Sequence, residues 1–578
     1  MSEIKLIING KECVGQKGQT ILEIANANGI FIPTLCHLAE LKHYGACGVC
    51  VVEGEGLPKL MRACSTVAAD GWKINTESKR VVQARKIALE LLMSDHDGDC
   101  KGPCHLGCPA HTDVQGYVKQ IALGNDTEAV KIIKEKIPLP ASIGRVCPHP
   151  CEEDCRRQFV ESPLSIAYLK AFAADNDMKS ADPFKPELAA STGKKVAIVG
   201  GGPSGLSAAY YLALMGHKVT VYDMHKKLGG MMRYGIPSYR YPREKLDGEI
   251  ASILSLGIEA HTETKIGVDI SFEELKNKFD AVYVAIGAHT DKKVGIEGED
   301  AQGVISAVEM LRGIGNDEMP DFTGLKVAVI GGGNVAMDCT RSAIRLGAEK
   351  VTCVYRRRQE DMTAQAEEVE GAIAEGAEVL TLHAPVKIEV DAQGNAAALW
   401  AQPQIIGEMD KAGRPRPNNA KLEEVRIPAD IIVVAIGQGI EIAGFDQAGV
   451  PVKRGGTVVA ELSGQVGNME NVFAGGDCVT GPATAIRAIA GGKVAAYAID
   501  EYLGYHHTLQ CDLGEPTLLH NNRVPTGRVN IQERSSHERK QDFEHVEYPI
   551  TVEEAVQECR RCLRCDKFGC GVLEGAAE

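Results

Sequence analysis

The stretch KKVAIVGGGPSGLSAAYYLALMGHKVTVYD, residues 194–223, sets the fold class of the whole chain. An apolar run, VAIV, leads straight into Gly200, Gly202 and Gly205, spaced G-x-G-x-x-G, and a second apolar run ends on Asp223. A strand that turns sharply into a helix needs glycine at the corner. A pyrophosphate can then approach the backbone at the helix N-terminus, and an acid at the end of the second strand can accept ribose hydroxyls. The glycines alone would be weak evidence; with strand, helix and acid in place they predict a dinucleotide-binding βαβ unit. The pattern returns in LKVAVIGGGNVAMDCTRSAIRLGAEKVTCVYRRR, residues 325–358, with Gly331, Gly333 and Ala336 at the corner. There the second strand ends in Tyr355-Arg356-Arg357-Arg358 instead of an acid. Guanidinium groups pair with a 2′-phosphate that an acid would repel, so NADP is favoured over NAD, a solvated basic surface being the alternative.

Outside these two units the pattern changes. Residues 5–8 (KLII), an Asn9-Gly10 turn and a second short strand predict a hairpin, followed by a helix from Ile21 to Asn28 that opens with a Thr20–Glu23 capping box. Residues 80–175 turn helical, with ARKIALELLM and TEAVKIIKEKI on amphipathic periods, and KSADPFKPELAASTG is a linker by its Pro, Ala, Ser and Gly content. Beyond Tyr505 the chain is polar and loop-like until a helix begins at Thr551, capped by Glu554. The chain therefore divides into six segments. These are a small mixed α/β module (1–78), a helical domain (79–178), a first nucleotide unit in two parts (193–290 and 446–505), a second unit inserted in it (291–445), and a tail (506–578).

Composition narrows the function classes. The chain has 578 residues, enough for about four domains at ~150 residues each. Net charge is −15 and aromatic content 5%, which disfavours nucleic acid, since phosphates would be repelled and bases would find little to stack on. The start, MSEIKLIINGKEC, has no basic-then-apolar segment, so a cytoplasmic protein is expected. The uncharged run Val196–Gly216 is broken by phosphate-loop glycines, and no membrane span is expected.

Of nineteen cysteines, eleven precede Asp175, four lie in the last twenty residues and four lie between. Disulfides are the plain reading, but in a reducing compartment clustered cysteines are more often metal ligands. Cys36, Cys47, Cys50 and Cys64 suit a [2Fe-2S] cluster around one loop and a later strand. Cys559, Cys562, Cys565 and Cys570, in C-x2-C-x2-C-x4-C, can hold a [4Fe-4S] cluster, with zinc the competing occupant. Cys100, Cys104 and Cys108 are followed by Cys147, Cys151 and Cys155 in a third group. Cys339, Cys353, Cys478 and Cys511 have no partner at ligand spacing and read as core thiols. No C-x-x-C lies between the nucleotide units, so a dithiol relay is not supported.

Three resemblances add to this reading. NVFAGGD (471–477), followed by GPATAIRAIAGGKVAA, resembles the second FAD motif of the two-dinucleotide-fold flavoproteins. This implies that the first unit holds FAD, with Gly476, Asp477 and Ala485 beside the flavin. The cysteines of the first module resemble the N-terminal domain of the complex I 75-kDa subunit and of iron hydrogenases. GRVCPHPCEEDC, GGMMRYGIPSYRYPREKLDGEI, GGGNVAMD and VYRRRQEDM make residues from about Cys100 to Tyr505 resemble the glutamate synthase small subunit and its relatives, among them dihydropyrimidine dehydrogenase and the NADPH-binding subunits of electron-bifurcating transhydrogenases. That resemblance adds Gly230 and Asn334 to the cofactor-binding residues. It also implies two interlaced [4Fe-4S] clusters, one on Cys100, Cys104 and Cys155, the other on Cys108, Cys147 and Cys151, each short of a fourth ligand. His96 falls where the family has its earliest cysteine and echoes the H-x3-C start of a histidine-ligated cluster in complex I and hydrogenases, which makes it a candidate iron ligand, and Lys170 falls where the family has Glu or Gln; lysine is a poor iron ligand.

The fold expected is α/β: an N-terminal β-grasp ferredoxin-like domain, a helical [4Fe-4S] domain, two Rossmann-like domains and a small C-terminal cluster segment. The cofactors expected are FAD, NADP(H), one [2Fe-2S] and three [4Fe-4S] clusters. Hydride transfer to flavin needs positioning more than acid or base side chains, so no catalytic base is named. The activity expected is NADPH-dependent electron transfer within a multi-subunit complex, one form of which is bifurcation with an NADH-oxidising flavoprotein subunit and ferredoxin. A glutamate synthase small subunit feeding a glutaminase subunit is the second reading, and a non-catalytic iron–sulfur scaffold or sensor the third.

Overall fold

The structure, a computed structural model, describes residues 2–38, 44–94, 101–410, 413–509 and 525–567. The chain forms two compact units, Met1–Gly98 and Asp99–Glu578.

In the first unit the strands Glu3–Ile8 (β1) and Lys11–Gln16 (β2) make the hairpin expected from Asn9-Gly10, and both turn residues have positive φ. Alternation along β1 turns Ile4, Leu6 and Ile8 inward, against the helix Ile21–Ala27 (α1). Thr20 and Glu23 close the capping box at the start of α1. Val51–Gly54 (β3), Met61–Arg62 (β4) and Lys73–Asn75 (β5) complete a mixed sheet in the order β2-β1-β5-β3-β4. The helix Lys79–Ser94 (α2) packs on β3, where Arg85 Nη2 donates to Val51 O at 2.9 Å. It therefore stays with this unit, although the sequence reading begins the second domain at residue 79.

The second unit opens with helices at Pro103–Gly107 (α3), Val114–Ala122 (α4), Asp126–Lys134 (α5), Pro140–Val146 (α6), Pro150–Glu153 (α7) and Ile166–Lys179 (α8). Their core is continuous with that of the nucleotide fold beyond. At the junction the buried Glu249 carboxylate accepts from Ala141 N (2.5 Å) and Ser142 N (2.9 Å), so an acid sits on the exposed amides of the α6 N-terminus.

Lys195–Val199 (β6), the helix Pro203–Leu214 (α9), Lys218–Tyr222 (β7), Glu259–His261 (β8) and Ala281–Val284 (β9) build the first parallel sheet. The chain then leaves to make a second one. Val304–Ser306 (β10), Lys326–Ile330 (β11), the helix Asn334–Arg345 (α10), Lys350–Val354 (β12), the helix Ala366–Glu375 (α11), Glu378–Leu380 (β13) and Ile431–Val434 (β14) form it in the order β10-β14-β11-β12-β13. A small antiparallel sheet spans 383–428 within this insertion. The chain returns as Val472–Ala474 (β15), which pairs with β9 to give β15-β9-β6-β7-β8, and continues into the long helix Ala485–Tyr502 (α12). The two sheets are thus copies of one plan, the second inserted in the first, as the repeated motif predicts.

Near the C-terminus the helix Val552–Arg560 (α13) starts at the expected Thr551–Glu554 capping box and packs on α4. Among the described residues no helix is long and apolar enough to cross a membrane.

Candidate functional site

A cleft lies over the β6–α9 corner, lined by Gly200, Gly202, Asp223, Gly230, Gly475 and Asp477. The glycines are there for space. Gly200 has φ +106°, and a Cβ on it would lie 2.3 Å from Ala285 O; one on Gly205 would lie 1.9 Å from Gly200 O, inside the corner itself. At Gly202 the nearest atom to an added Cβ is Gly230 Cα at 3.6 Å, so this backbone faces open space at the start of α9. That cradle fits a pyrophosphate, which needs bare backbone and the positive end of a helix.

Asp223 ends β7 as expected, yet its carboxylate already works within the chain. It accepts from Gly201 N at 2.7 Å and from His225 N at 2.8 Å, so it holds the glycine corner as well as lining the cleft. Burial pushes its pKa up, and those two amides oppose the push. On the opposite wall Gly476 has φ +72°, with its would-be Cβ 2.9 Å from Ser204 Cβ, and it delivers Asp477 into the cleft. Burial raises the Asp477 pKa to about 6, against a partly offsetting bond from Ala483 N. Gly492 lets α12 lie directly on α9, since a Cβ there would meet Ser204 O at 2.2 Å. Ala485 is the first residue of α12, and Ala488, one turn on, lines the cleft.

Sequence reasoning passed over two histidines in this cleft. His225 and His289 line it with ring centroids 5.5 Å apart, and His225 Nε2 and His289 Nδ1 are buried with no hydrogen-bond partner. Burial, with His225 and Arg312 nearby, depresses the His289 pKa to about 4. Orphaned buried ring nitrogens aimed into a cleft suit a bound ligand with polar edges. The only local signal is that each follows a strand end, in YDMH and AIGAH.

The second cleft lies at the β11–α10 corner. Gly331 has φ +154°, and its would-be Cβ meets Ala435 O at 2.4 Å and Ala336 Cβ at 3.1 Å; Gly333 has only Thr363 Oγ1, at 3.4 Å. Asn334, first in α10, accepts from Gln365 N at 2.9 Å and so ties the corner to the start of α11. The arginines at the end of β12 separate into different roles. Arg356 is exposed on the cleft wall. Arg357 lines the cleft but is buried, with Nε donating to Pro415 O at 2.7 Å. Arg358 pairs with Asp361 at 2.9 Å. A fourth, Arg414, reaches the cleft from the antiparallel sheet and donates to Tyr355 Oη at 3.2 Å; sixty residues away in sequence, it gives no local signal. Pro482 and Ala483 line this second cleft too, only a few residues beyond Asp477 in the first.

Turning to the cysteines, the first unit brings together the set expected there. Cys50 and Cys64 are buried with sulfurs 3.3 Å apart, Cys47 N donates to Cys36 Sγ at 3.5 Å, and Val49 N donates to Cys47 Sγ at 3.5 Å. Burial raises the Cys64 thiol to about 11; burial also opposes the Cys47 thiolate, but amide bonds from Val49 and Cys36 outweigh it and lower that pKa. Arg85, whose Nε is buried without a partner, lies close enough to feel Cys50. Four thiols with amide donors and an unsatisfied cation fit an anionic iron–sulfur cluster.

In the second unit Cys104, Cys108, Cys147 and Cys151 are buried in one core with Cys559, and Cys155 and Cys562 pack against it. Gln115 Nε2 donates to Cys104 Sγ at 3.1 Å. Lys170, almost fully buried on α8, places its charge beside Cys147 and Cys151. His149, between two prolines, has φ +55° and directs its N–H at Cys147. His96, Cys100, Cys570 and Cys511 lie outside the described residues. Cys339, Cys353 and Cys478 are fully buried, as core thiols should be.

Comparison with known proteins agrees with this geometry. Residues 194–492 match the family described as pyridine nucleotide-disulphide oxidoreductase, residues 95–182 match dihydropyrimidine dehydrogenase domain II with a 4Fe-4S cluster, and residues 1–79 match the 2Fe-2S iron-sulfur cluster binding domain. The chain is 39% identical over 511 residues to the beta subunit of the NADP(+)-dependent formate dehydrogenase of Moorella thermoacetica, covering 82% of this chain and 72% of that one. It is 38% identical over 508 residues to the beta subunit of the NADPH-Fe(3+) oxidoreductase of Geobacter sulfurreducens, with coverage of 80% and 75%. The glutamate synthase [NADPH] small chain of Escherichia coli is 32% identical over 423 residues, with coverage of 70% and 89%. The expected resemblance, fold class and cofactor types are borne out.

Proposed function

The chain belongs to the pyridine nucleotide-disulphide oxidoreductase family as an NADP-dependent flavin and iron–sulfur enzyme, and from that premise we propose that it is the NADPH-handling subunit of a larger redox complex. The observation that carries this is the stretch from Gly475 to Ala483, which walls the first cleft at one end and the second cleft at the other. A nicotinamide in the second cleft is thereby led toward a flavin in the first.

Each residue has a distinct part. The bare backbone of Gly202 at the start of α9, with Gly230 facing it, would receive the flavin's pyrophosphate, Asp223 orders the corner, and Asp477 with the α12 N-terminus would face the ring end. Gly331 and Gly333 would receive the pyrophosphate of NADP(H), and Arg356, with Arg414 lining the same cleft, would meet the 2′-phosphate. Flavin, when bound, converts between hydride and single-electron transfer. The thiol groups then offer the single electrons a path: Cys36, Cys47, Cys50 and Cys64 a [2Fe-2S] centre, the later cysteines [4Fe-4S] centres. Whether the latter number three or two turns on whether the last four cysteines keep a centre to themselves.

Two relatives named as beta subunits support a partner, for which an NADH-oxidising flavoprotein subunit, with ferredoxin as a further acceptor, is our reading. The glutamate synthase likeness supports the alternative partner, a glutaminase subunit. The test is anaerobic bleaching of the flavin by NADPH with viologen as acceptor. Turnover with NADPH supports the reading; no turnover from a chain with full FAD and iron content would leave only the scaffold.

A further inference from the structure

The last cysteines sit in a segment welded to the helical domain. Glu558 is fully buried at the end of α13 and accepts from Ser165 N at 2.8 Å and Val529 N at 2.9 Å. Arg561, also buried, pairs with Glu161 at 3.0 Å, and Glu161 in turn pairs with Arg157 at 2.7 Å, just after Cys155. This anchoring brings Cys562 and Cys565 to the cysteines of the helical domain. The charged neighbours that weigh most on the Cys104 sulfur are Cys562 first, then Cys155, Cys151 and Cys565, and those on Cys562 include Cys155 and Cys565.

The thiols of this unit sort into two groups. Cys147 and Cys151 share Lys170 and Cys108 as neighbours. Cys104, Cys155, Cys562 and Cys565 form the other group, with Gln115 donating to Cys104; Cys151 borders both, since it weighs on Cys104 as well as sharing Lys170 with Cys147. Cys559 touches this second group only through Cys562, its first charged neighbour, and is not among the leading neighbours of Cys104. A second observation points to a charged occupant. Arg564 is held at φ +51°, which bends the chain between Cys562 and Cys565, and its guanidinium is buried beside Cys562. Asp566 takes two of its nitrogens, at 3.0 and 2.8 Å, and Nη1 is left without a partner. A buried guanidinium nitrogen left without a partner next to converging thiols suits an anionic cluster.

We propose that Cys104, Cys155, Cys562 and Cys565 ligate one [4Fe-4S] cluster, so that the C-terminal segment completes a centre begun in the helical domain instead of holding one of its own. This rests on the iron–sulfur reading above and replaces its separate C-terminal set. Two consequences follow: Cys562 and Cys565 join Cys104 and Cys155 from some four hundred residues away, which replaces the Cys100 ligation expected from sequence, and Cys559 is dispensable for iron.

The test uses the full chain purified anaerobically, with iron and acid-labile sulfide counted per FAD and low-temperature EPR of the dithionite-reduced protein. Cys562→Ser and Cys104→Ser should each lose the same signal and about four irons. The double variant should lose no more than either alone. Loss of about eight irons in the double variant would mean two separate centres and overturn the assignment. Cys559→Ala decides even if Cys562→Ser fails to fold: full iron is expected, and loss of one cluster restores the C-terminal set. A wild-type chain without any cubane signal overturns the iron–sulfur reading itself, an outcome distinct from these.

Discussion

Replacing Arg356 by alanine should separate NADPH from NADH, and the structure says by how much. Arg356 stands exposed on the wall of the second cleft, while Arg357 is buried with its Nε on Pro415 O at 2.7 Å. A charge-assisted hydrogen bond contributes about 1.5–3 kcal/mol, and exposure to solvent brings that down to ~1–2 kcal/mol here. The kcat/KM for NADPH should fall roughly 5- to 30-fold, with NADH changed less than about twofold. The loss should grow at low ionic strength, where the attraction is less screened. Arg357→Ala should behave differently. It removes a buried support of the strand edge, so both nucleotides should suffer together with the melting temperature. The assay is steady-state viologen reduction with each nucleotide at two salt concentrations. Equal losses for both nucleotides in Arg356→Ala, or a selective NADPH loss in Arg357→Ala alone, would refute the division of labour.

Gly205→Ala should yield a chain largely free of flavin, because the new Cβ would lie 1.9 Å from Gly200 O and distort the corner; FAD content after purification measures it, and a normal content would sink the packing argument. Asp477 titrates near 6 in the fold, above its unfolded value of about 4, so its stabilising proton is kept in both states below about pH 4 and stability is lost as pH rises through 6. Flavin-free Asp477→Asn should therefore be more stable than wild type at pH 7.5, by up to about 2–3 kcal/mol, with the gap closing toward pH 4 in urea melts; a gap independent of pH would count against the burial of that carboxyl. Glu375→Gln should cost about 3–5 kcal/mol in the urea midpoint analysis, since Arg341, Arg345 and Arg539 all lose the carboxylate they share, at 2.6, 2.6 and 2.9 Å. Burial opposes that carboxylate, but the arginines hold its pKa near 2, so the cost should stay constant from pH 8 down to about pH 5 and shrink as pH falls from there toward 2.

What could be read from sequence was what is decided locally. The two glycine corners, the Asn9-Gly10 turn and the capping boxes at Thr20 and Thr551 depend on residues no more than five positions apart, and each stands where the pattern puts it. The candidate site was legible to the same extent: Gly202, Asp223 and Asp477 share one cleft because each lies at a strand end of one parallel sheet. Arg414 and the paired histidines 225 and 289 were not legible, since their place depends on where distant strands come to lie. Arg357 was legible only in part, for a related reason. Its position in the run of three arginines suggests a phosphate ligand, but the antiparallel sheet inserted after α11 supplies Pro415 O and draws the guanidinium inward. The spacing of the last cysteines likewise describes a local ligand set and carries no trace of Glu161 or Ser165, the partners that dock them elsewhere.

The docked segment also explains how the two ends of the reaction path are kept in register. Before it reaches α13, the same segment places Arg539 on Glu375 at 2.9 Å in the inserted nucleotide domain, and Val546 N on Tyr239 O at 2.9 Å in the first. Arg240 crosses between those domains as well, to Asp338 at 3.0 Å and Glu368 at 2.8 Å. Buried ion pairs are poor evidence for net stability, because desolvation offsets most of their attraction; what they do supply is a single geometry, since any other arrangement strands a charge. A chain that must pass a hydride across one boundary and single electrons across another gains from such a geometry more than from added stability. The segment that runs along the inserted domain, the flavin domain and the helical domain in turn is the element placed to impose it.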